Sequence, residues 1–258
     1  IIGLLLIFNG GAMLITAGVS LIFNDGVFKE IVISSILLIS LGIILMHFNQ
    51  NSIRQMNKRD GYLIVTAGWL TMILSGMFPY YLTNSITTFS DIFFETMSGY
   101  TATGSTILDD VESLPKSIVF WRSMTHWLGG MGIIVLAIAI LPLLGIGGMQ
   151  LFSAEVPGSG ISGDKIHPRI SATAKRLWFI YFGLTIFETL ALSIAGMSFF
   201  DALNHSMSNI ATGGFSTKNE SLAYWNSTPA IQYIVIFFMI LAGTNYLLIY
   251  SCLLYTSP

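Results

Sequence analysis

Cysteine is almost absent from this chain: Cys252 is its only one in 258 residues, so neither an intrachain disulfide nor a multi-cysteine metal site is available. Charge is scarce too, with 9% Asp, Glu, Lys and Arg where ordinary soluble domains carry roughly 25%. Together with 53% hydrophobic residues, this composition excludes a soluble globular domain. A net charge of -2 without a basic cluster argues against a nucleic-acid partner. No apolar segment carries a regular row of arginines, which disfavours a voltage-sensing channel. The four histidines, His47, His126, His167 and His205, fall on separate elements and lack metal-ligand spacing. Gly158-Ser-Gly160 has no flanking strand to make it a nucleophile or phosphate loop, and no nucleophile-base pair converges elsewhere, so an enzyme is not expected.

What the chain has in abundance is long apolar runs. Six are long enough to cross a bilayer at about 20 residues each, approximately 1–23, 31–49, 61–83, 117–144, 176–197 and 229–250. The first begins directly at Ile1-Ile-Gly-Leu-Leu-Leu-Ile, without a charged leader region or a small-residue cleavage site, and reads as a first or truncated transmembrane helix and not as a signal peptide. Basic residues set the orientation. Arg54, Lys58 and Arg59 follow the second run, and Lys165, Arg169, Lys175 and Arg176 follow the fourth, which puts seven basic residues on one side. Lys29, Lys116, Arg122 and Lys218 put four on the other. The richer side is cytoplasmic by the positive-inside bias.

Between the runs, one short segment occurs twice. Asp91-Ile-Phe-Phe-Glu-Thr-Met-Ser-Gly-Tyr-Thr-Ala-Thr-Gly-Ser-Thr106 and Asp201-Ala-Leu-Asn-His-Ser-Met-Ser-Asn-Ile-Ala-Thr-Gly-Gly-Phe-Ser216 align without a gap at an offset of 110. The offset pairs Phe89 with Phe199, Met97-Ser98 with Met207-Ser208, and Gly104 with Gly214. Each copy is too short to span and enters from the outer side, so 84–106 and 198–217 are each predicted to form a descending helix followed by a non-helical loop. Irregular backbone at membrane depth is tolerated only where protein buries it or it lines a wet cavity. Stripping water from a monovalent cation requires a ring of oxygens, and backbone carbonyls supply it where glycine lets the chain approach the axis. Gly104 and Gly214 meet that need, and Thr101, Thr103, Thr106, Thr212 and Ser216 add hydroxyls. The C-terminal ends of the two short helices carry negative dipole charge suited to a cation. The alternative is a Gly/Thr turn that merely links buried helices.

Several further residues have competing readings. Asp109, Asp110, Glu112 and Glu220 surround the outer ends of the loops, either raising the local cation concentration or forming a solvated acidic loop. Glu95 on the first short helix corresponds to His205 on the second; a hydrogen bond that supports the loop is preferred to ion contact, because Glu95 lies more than two helical turns before Gly104. Arg122 and His126, one turn apart, share a face and read as anchors to the short helices. Glu188 falls near the bilayer midplane, where a carboxyl hydrogen-bonded to a neighbouring helix is preferred to a proton-coupling role. Gly129-Gly-Met-Gly132 and Ala242-Gly243 read as close-packing positions in preference to hinges.

The chain resembles the TrkH family, the membrane subunits of bacterial Trk potassium-uptake systems within the Trk/Ktr/HKT superfamily. The resemblance covers nearly all of it and rests on Met97-Ser-Gly-Tyr-Thr-Ala-Thr-Gly-Ser-Thr106, Phe120-Trp-Arg-Ser-Met-Thr-His-Trp-Leu-Gly-Gly-Met-Gly132, Gly147-Gly-Met-Gln-Leu-Phe152 with Ala154-Glu-Val-Pro-Gly158, Ala211-Thr-Gly-Gly-Phe-Ser-Thr217 and Ala242-Gly-Thr-Asn245. It implies an all-α membrane protein of the bacterial cytoplasmic (inner) membrane, with an N-terminal helix pair (1–60), a first helix-pore-helix repeat (61–145), a cytoplasmic loop (146–175) and a second repeat (176–258). Potassium would be the transported ion, with no organic cofactor. Its filter would be formed by Thr101, Ala102, Thr103, Gly104 and Ser105 with Ala211, Thr212, Gly213, Gly214 and Phe215, supported by Glu95, Arg122 and His205. Implied partners are membrane lipid, a second copy in a homodimer, and a cytosolic nucleotide-binding subunit of the TrkA type that meets the loop bearing Gln150, Glu155, Lys165 and Arg169.

Family members carry four such repeats around one pore, whereas this sequence holds two. The third-repeat gating loop and the fourth-repeat basic residue are not in it. Its last residues, Ser251-Cys-Leu-Leu-Tyr-Thr-Ser-Pro258, do not continue the family pattern, and a truncated reading frame is expected. Two functions therefore stand side by side: a cation-conducting subunit lined by the paired loops, and a non-conducting membrane fragment or scaffold.

Overall fold

The computed structural model describes residues 2–48, 58–144 and 170–244. Every element among the described residues is helical: α1 (Ile2–Phe23), α2 (Phe28–Phe48), α3 (Lys58–Gly76), α4 (Phe78–Leu82), α5 (Phe89–Tyr100), α6 (Lys116–Leu144), α7 (Ile170–Ile194), α8 (Phe199–Ile210), a 3₁₀ turn (Ser221–Trp225) and α9 (Pro229–Gly243). Among the described residues four segments are long and apolar enough to cross a membrane, Ile2–Phe23, Phe28–Phe48, Leu63–Leu82 and Leu177–Ile194, and Pro229–Gly243 is a shorter apolar helix. The loop expected to meet a cytosolic partner, with Gln150, Glu155, Lys165 and Arg169, and the tail from Asn245 onward lie outside the described residues.

α1 and α2 form a tight antiparallel hairpin. Gly3 and Gly42 permit it: a Cβ on Gly3 would lie 2.7 Å from the Gly42 carbonyl oxygen, and one on Gly42 would lie 2.6 Å from that of Gly3. Further along, the Ser35 hydroxyl donates to the Gly10 carbonyl at 2.7 Å. Small residues that bring two backbones together in this way are the usual currency of helix packing in lipid.

The third apolar run breaks at Met77 into α3 and α4. Pro79 accounts for the break, because its ring and missing N–H are incompatible with a continuous helix through the carbonyl of Ser75. The Trp121 indole instead uses the nearby Gly76 carbonyl as acceptor, at 3.1 Å.

α5 and α8 are each 12 residues long, with Asp91 and Asp201 in their first turns, where a carboxylate complements the helix dipole. Ser198 caps α8 by accepting the Asp201 N–H at 3.1 Å and donating to its carboxylate at 2.7 Å. The long helix α6 runs between them. Its buried residues include not only Ile118, Trp121 and Met131 but also Arg122, Thr125 and His126, so the interior of the described fold is polar where α6 meets α5 and α8. Large apolar side chains cover the outside, among them Ile22, Phe179, Ile194 and Tyr233, as a lipid-facing surface requires.

Candidate functional site

Both short helices end in the same way. Ala102 N–H donates to Gly99 O at 3.0 Å and Thr103 N–H to Ser98 O at 3.0 Å; 110 residues on, Thr212 N–H donates to Asn209 O and Gly213 N–H to Ser208 O, both at 2.8 Å. These paired bonds make a Schellman ending, which requires a left-handed residue just past the cap. That residue is usually glycine, yet here it is Ala102 (φ 50°) and Thr212 (φ 57°). The second left-handed positions, Gly104 (φ 78°) and Gly214 (φ 106°), are again equivalent. Each loop thus alternates the sign of φ: Thr101 (φ -82°) and Ala211 (φ -75°) are followed by a left-handed residue, a residue of ordinary hand, and a left-handed glycine. A β-branched residue held left-handed is costly, by about 1–3 kcal/mol.

Downstream, the loops are tied to their own helices by the same hydroxyl position. The Thr106 hydroxyl donates to the Glu95 carboxylate at 3.0 Å and accepts the Leu108 N–H at 3.1 Å. The Ser216 hydroxyl pairs with His205 Nε2 at 3.0 Å and accepts the Lys218 N–H at 3.0 Å. Because His205 Nδ1 faces the Asp201 carbonyl at 2.8 Å, Nδ1 carries the proton and Nε2 accepts from Ser216. A carboxylate with threonine and an imidazole with serine therefore perform one operation. Thr217 adds a bond to Asp201, at 2.6 Å.

Arg122 joins the two loops. Its Nε donates to Glu95 at 2.7 Å, Nη2 to the Thr106 hydroxyl at 3.1 Å and Nη1 to the Ser216 carbonyl at 3.3 Å, while its guanidinium lies 4.2 Å from the centre of the Phe215 ring. Both partners of the ion pair are buried. One turn later, His126 stacks on the same ring at 3.9 Å and 13° and pairs with the Ser208 hydroxyl, which in turn accepts the Gly214 N–H. The loops touch directly: a Cβ on Gly104 would lie 2.0 Å from Gly213 O. α6 approaches both helix ends through adjacent glycines, since a Cβ on Gly129 would meet Tyr100 O at 2.0 Å and one on Gly130 would meet the Tyr181 hydroxyl at 2.6 Å and Ala211 at 3.2 Å.

The carboxylates beyond the first loop make a clasp. Glu112 binds Lys218 Nζ at 3.0 Å and the Asn219 N–H at 3.3 Å, Asp110 accepts from Asn219 Nδ2 at 2.9 Å, and Asn219 Oδ1 accepts the Val111 N–H. The bond from Lys218 lowers the pKa of Glu112 and raises that of Lys218. At the start of α6, Asp25 caps the helix by accepting the Ser117 N–H at 2.9 Å and hydroxyl at 2.6 Å. Burial alone would raise its pKa, but these bonds and one from Ser20 outweigh it and hold it below the ordinary 3.8.

The structure brings together Glu95, Arg122, Ser105's neighbours Gly104 and Thr106, and Gly213 through Ser216; His205 joins through Ser216. Glu188, buried in α7, accepts from Asn209 Nδ2 at 2.6 Å, and Asn209 also reaches the Val235 carbonyl at 3.1 Å. Sequence reasoning does not single out Asn9, Asn209, Asn219 or Ser208. They are uncharged, and although Ser208 and Asn209 lie within the repeat, all four acquire their roles from partners 21 to 109 residues away. Among the described residues no cluster of His, Cys, Asp or Glu is suited to hold a metal ion.

Apolar spanning helices around two short helices with braced glycine loops define a multi-pass helical membrane protein. Residues 28–257 match the TrkH family of cation transport proteins, and the chain belongs to that family. It is 45% identical over 254 residues to the Trk system potassium uptake protein TrkH of Salmonella typhimurium and 44% identical to that of Escherichia coli K12, in each case covering 98% of this chain and 52% of the relative. The Escherichia coli protein TrkG is 40% identical over 76% of this chain and 40% of its own length. The crystal structure of the potassium transporter TrkH from Vibrio parahaemolyticus superposes with a TM-score of 0.83 at 38% identity, over 98% of this chain and 51% of that one. The chain thus spans about half the length of these relatives.

Proposed function

We propose that this chain forms part of a potassium-uptake protein of the bacterial cytoplasmic membrane, and that ions pass a filter of backbone carbonyls supplied by 101–105 and 211–215. The observation that carries this reading is the alternating hand of the backbone at Ala102, Gly104, Thr212 and Gly214, repeated at an offset of 110 in two loops that touch. A chain that alternates hand turns successive peptide groups toward one side, and a row of carbonyls facing one way is what a dehydrated monovalent cation requires. The two loops would belong to two helix-pore-helix repeats, 61–145 and 176–258, behind an N-terminal helix pair, 1–60. Glu95, Arg122 and His205 act as supports, because their bonding capacity is taken up by the loops and not directed at an ion.

The names of the relatives and the family resemblance support potassium as the ion. The same resemblance supports a homodimer and a cytosolic nucleotide-binding partner of the TrkA type at 146–175, through Gln150, Glu155, Lys165 and Arg169. The test is to replace Gly104 or Gly214 with Ser in the full-length protein and compare potassium with sodium uptake in a potassium-starved host. Reduced discrimination is expected, and an unchanged ratio at normal membrane abundance would contradict the filter.

A further inference from the structure

The N-terminal helix α1 reaches the end of the first short helix through a buried polar chain. The Tyr100 hydroxyl donates to Asn9 Oδ1 at 2.6 Å, Asn9 Nδ2 donates to the Ser75 hydroxyl at 2.7 Å, and Ser75 donates to the Met72 carbonyl at 3.1 Å. Asn9 and Tyr100 are both buried, at 0% and 1% exposed. Three helices fix Tyr100 from three sides. α1 holds its hydroxyl, Gly76 of α3 lies against its ring so closely that a Cβ would sit 2.4 Å from Cε2, and Gly129 of α6 lies against its carbonyl.

Tyr100 is the last residue of α5, followed at once by Thr101 and left-handed Ala102. A displacement of its ring is therefore transmitted to the first loop with no intervening turn to absorb it. At the corresponding position of the second loop stands Ile210, which has no hydroxyl; that helix end is tied instead through Asn209 to Glu188 of α7 and to the Val235 carbonyl. The second loop draws its anchor from the helices that flank it. The first draws its anchor from α1, which lies outside the 61–145 repeat.

We infer that Asn9 is a positioning residue for ion selection, acting through the Tyr100 hydroxyl on the first loop, an inference that rests on the filter reading above. The amide suits the task. Its oxygen accepts from Tyr100 while its nitrogen is spent on Ser75, so the side chain cannot rotate without breaking two buried bonds.

The experiment uses the full-length protein in a host that lacks its own potassium uptake, with Tyr100→Phe, Asn9→Leu, the double variant, Ser75→Ala and Gly104→Ser compared for membrane abundance and for the ratio of potassium to sodium uptake. Tyr100→Phe removes a single oxygen and tests the bond even if Asn9→Leu fails to accumulate. Tyr100→Phe and Asn9→Leu should each lower the ratio roughly tenfold, the scale on which one buried hydrogen bond moves an equilibrium. The double variant should fall no further than either single one, and Ser75→Ala, which leaves the Tyr100 bond in place, should retain most of the ratio. A purely structural tie would change abundance and leave the ratio alone. If Gly104→Ser lowers the ratio while Tyr100→Phe and Asn9→Leu do not, the inference is overturned and the filter stands. If Gly104→Ser also leaves it unchanged, the filter reading fails and the inference with it.

Discussion

Gly104 faces the carbonyl oxygen of Gly213 at a distance that leaves no room for a side chain: a Cβ would lie 2.0 Å from it. Gly214, its counterpart at the same offset, has nothing within 4 Å of such an atom, although its φ of 106° is even less accessible to other residues. The two glycines are needed for different reasons. Gly104 meets both a conformational and a steric demand, and Gly214 only the first.

The two substitutions should therefore differ in severity. Gly104→Ala must push the loops apart and, if the proposed function holds, is expected to reduce potassium uptake by the full-length protein more than tenfold. Gly214→Ala strains the backbone by about 1–3 kcal/mol but displaces no neighbour, and it should retain measurable uptake. Initial rates in potassium-depleted cells, normalised to membrane abundance, compare them. Equal loss from both would show that the contact between the loops is unimportant.

Arg122 and Glu95 form a buried pair whose neighbours depend on it, since Thr106, Ile107 and Ser216 share its donors and acceptors. Removing one partner leaves an uncompensated charge at a cost of about 3–5 kcal/mol. Arg122→Gln or Glu95→Leu should each lower thermal stability in detergent and the amount of protein in the membrane. The double variant Glu95→Leu/Arg122→Gln, which leaves no charge behind, should recover part of that loss. A double variant as unstable as the sum of the singles would place the value of these residues outside their mutual contact.

Much of this arrangement is legible in the sequence alone. The spans at 31–49, 117–144 and 176–197 correspond to α2, α6 and α7, because uninterrupted apolar runs leave the chain few alternatives in lipid. The ungapped offset of 110 also locates the two short helices and their loops. Less legible is the break at Met77, although Pro79 is its visible cause. The left-handed conformations of Ala102 and Thr212 have no signature in the sequence, since neither residue favours that region; they belong to the Schellman bonds that close each short helix. Arg122 and His126 read as anchors on one face, and Phe215 is named through the resemblance only as a filter position; that its ring is the one they share is not legible. The acidic residues beyond the first loop are the least legible, because their partners Lys218 and Asn219 lie more than 100 residues away.

Asp25 provides a pH test at the start of α6. Its folded-state pKa is lowered, so its contribution to stability is present above the unfolded value of 3.8 and is lost as pH falls through the folded value. Melting temperature should be insensitive to this group between about pH 5 and 7 and should decline below about pH 4. Asp25→Asn should lower the plateau while removing part of the acid-dependent decline, because its amide oxygen still accepts from Ser117 but carries no charge toward the α6 N-terminus. An acid limb of unchanged steepness in the variant would assign that limb to other carboxylates.

Gly129 tests whether the glycines of α6 serve packing or hinge motion. Its missing side chain is occupied by the Tyr100 backbone, with carbonyl oxygen, carbon and Cα at 2.0, 2.7 and 3.0 Å, and a backbone cannot rotate aside as a flexible side chain does. Alanine there must separate α6 from the end of α5, and with it the first residues of the loop. Gly18 of α1 is the control, since nothing lies within 4 Å of its Cβ position. A glycine in an open helical position costs about 0.5–1 kcal/mol relative to alanine, so Gly18→Ala should be neutral or slightly stabilising. Gly129→Ala should lower both thermal stability and potassium uptake. A hinge role predicts another pattern, in which Gly129→Ala leaves stability intact or improves it while slowing transport. Measuring the melting temperature and the uptake rate on the same preparations separates the two, and loss of stability with loss of uptake assigns Gly129 to packing.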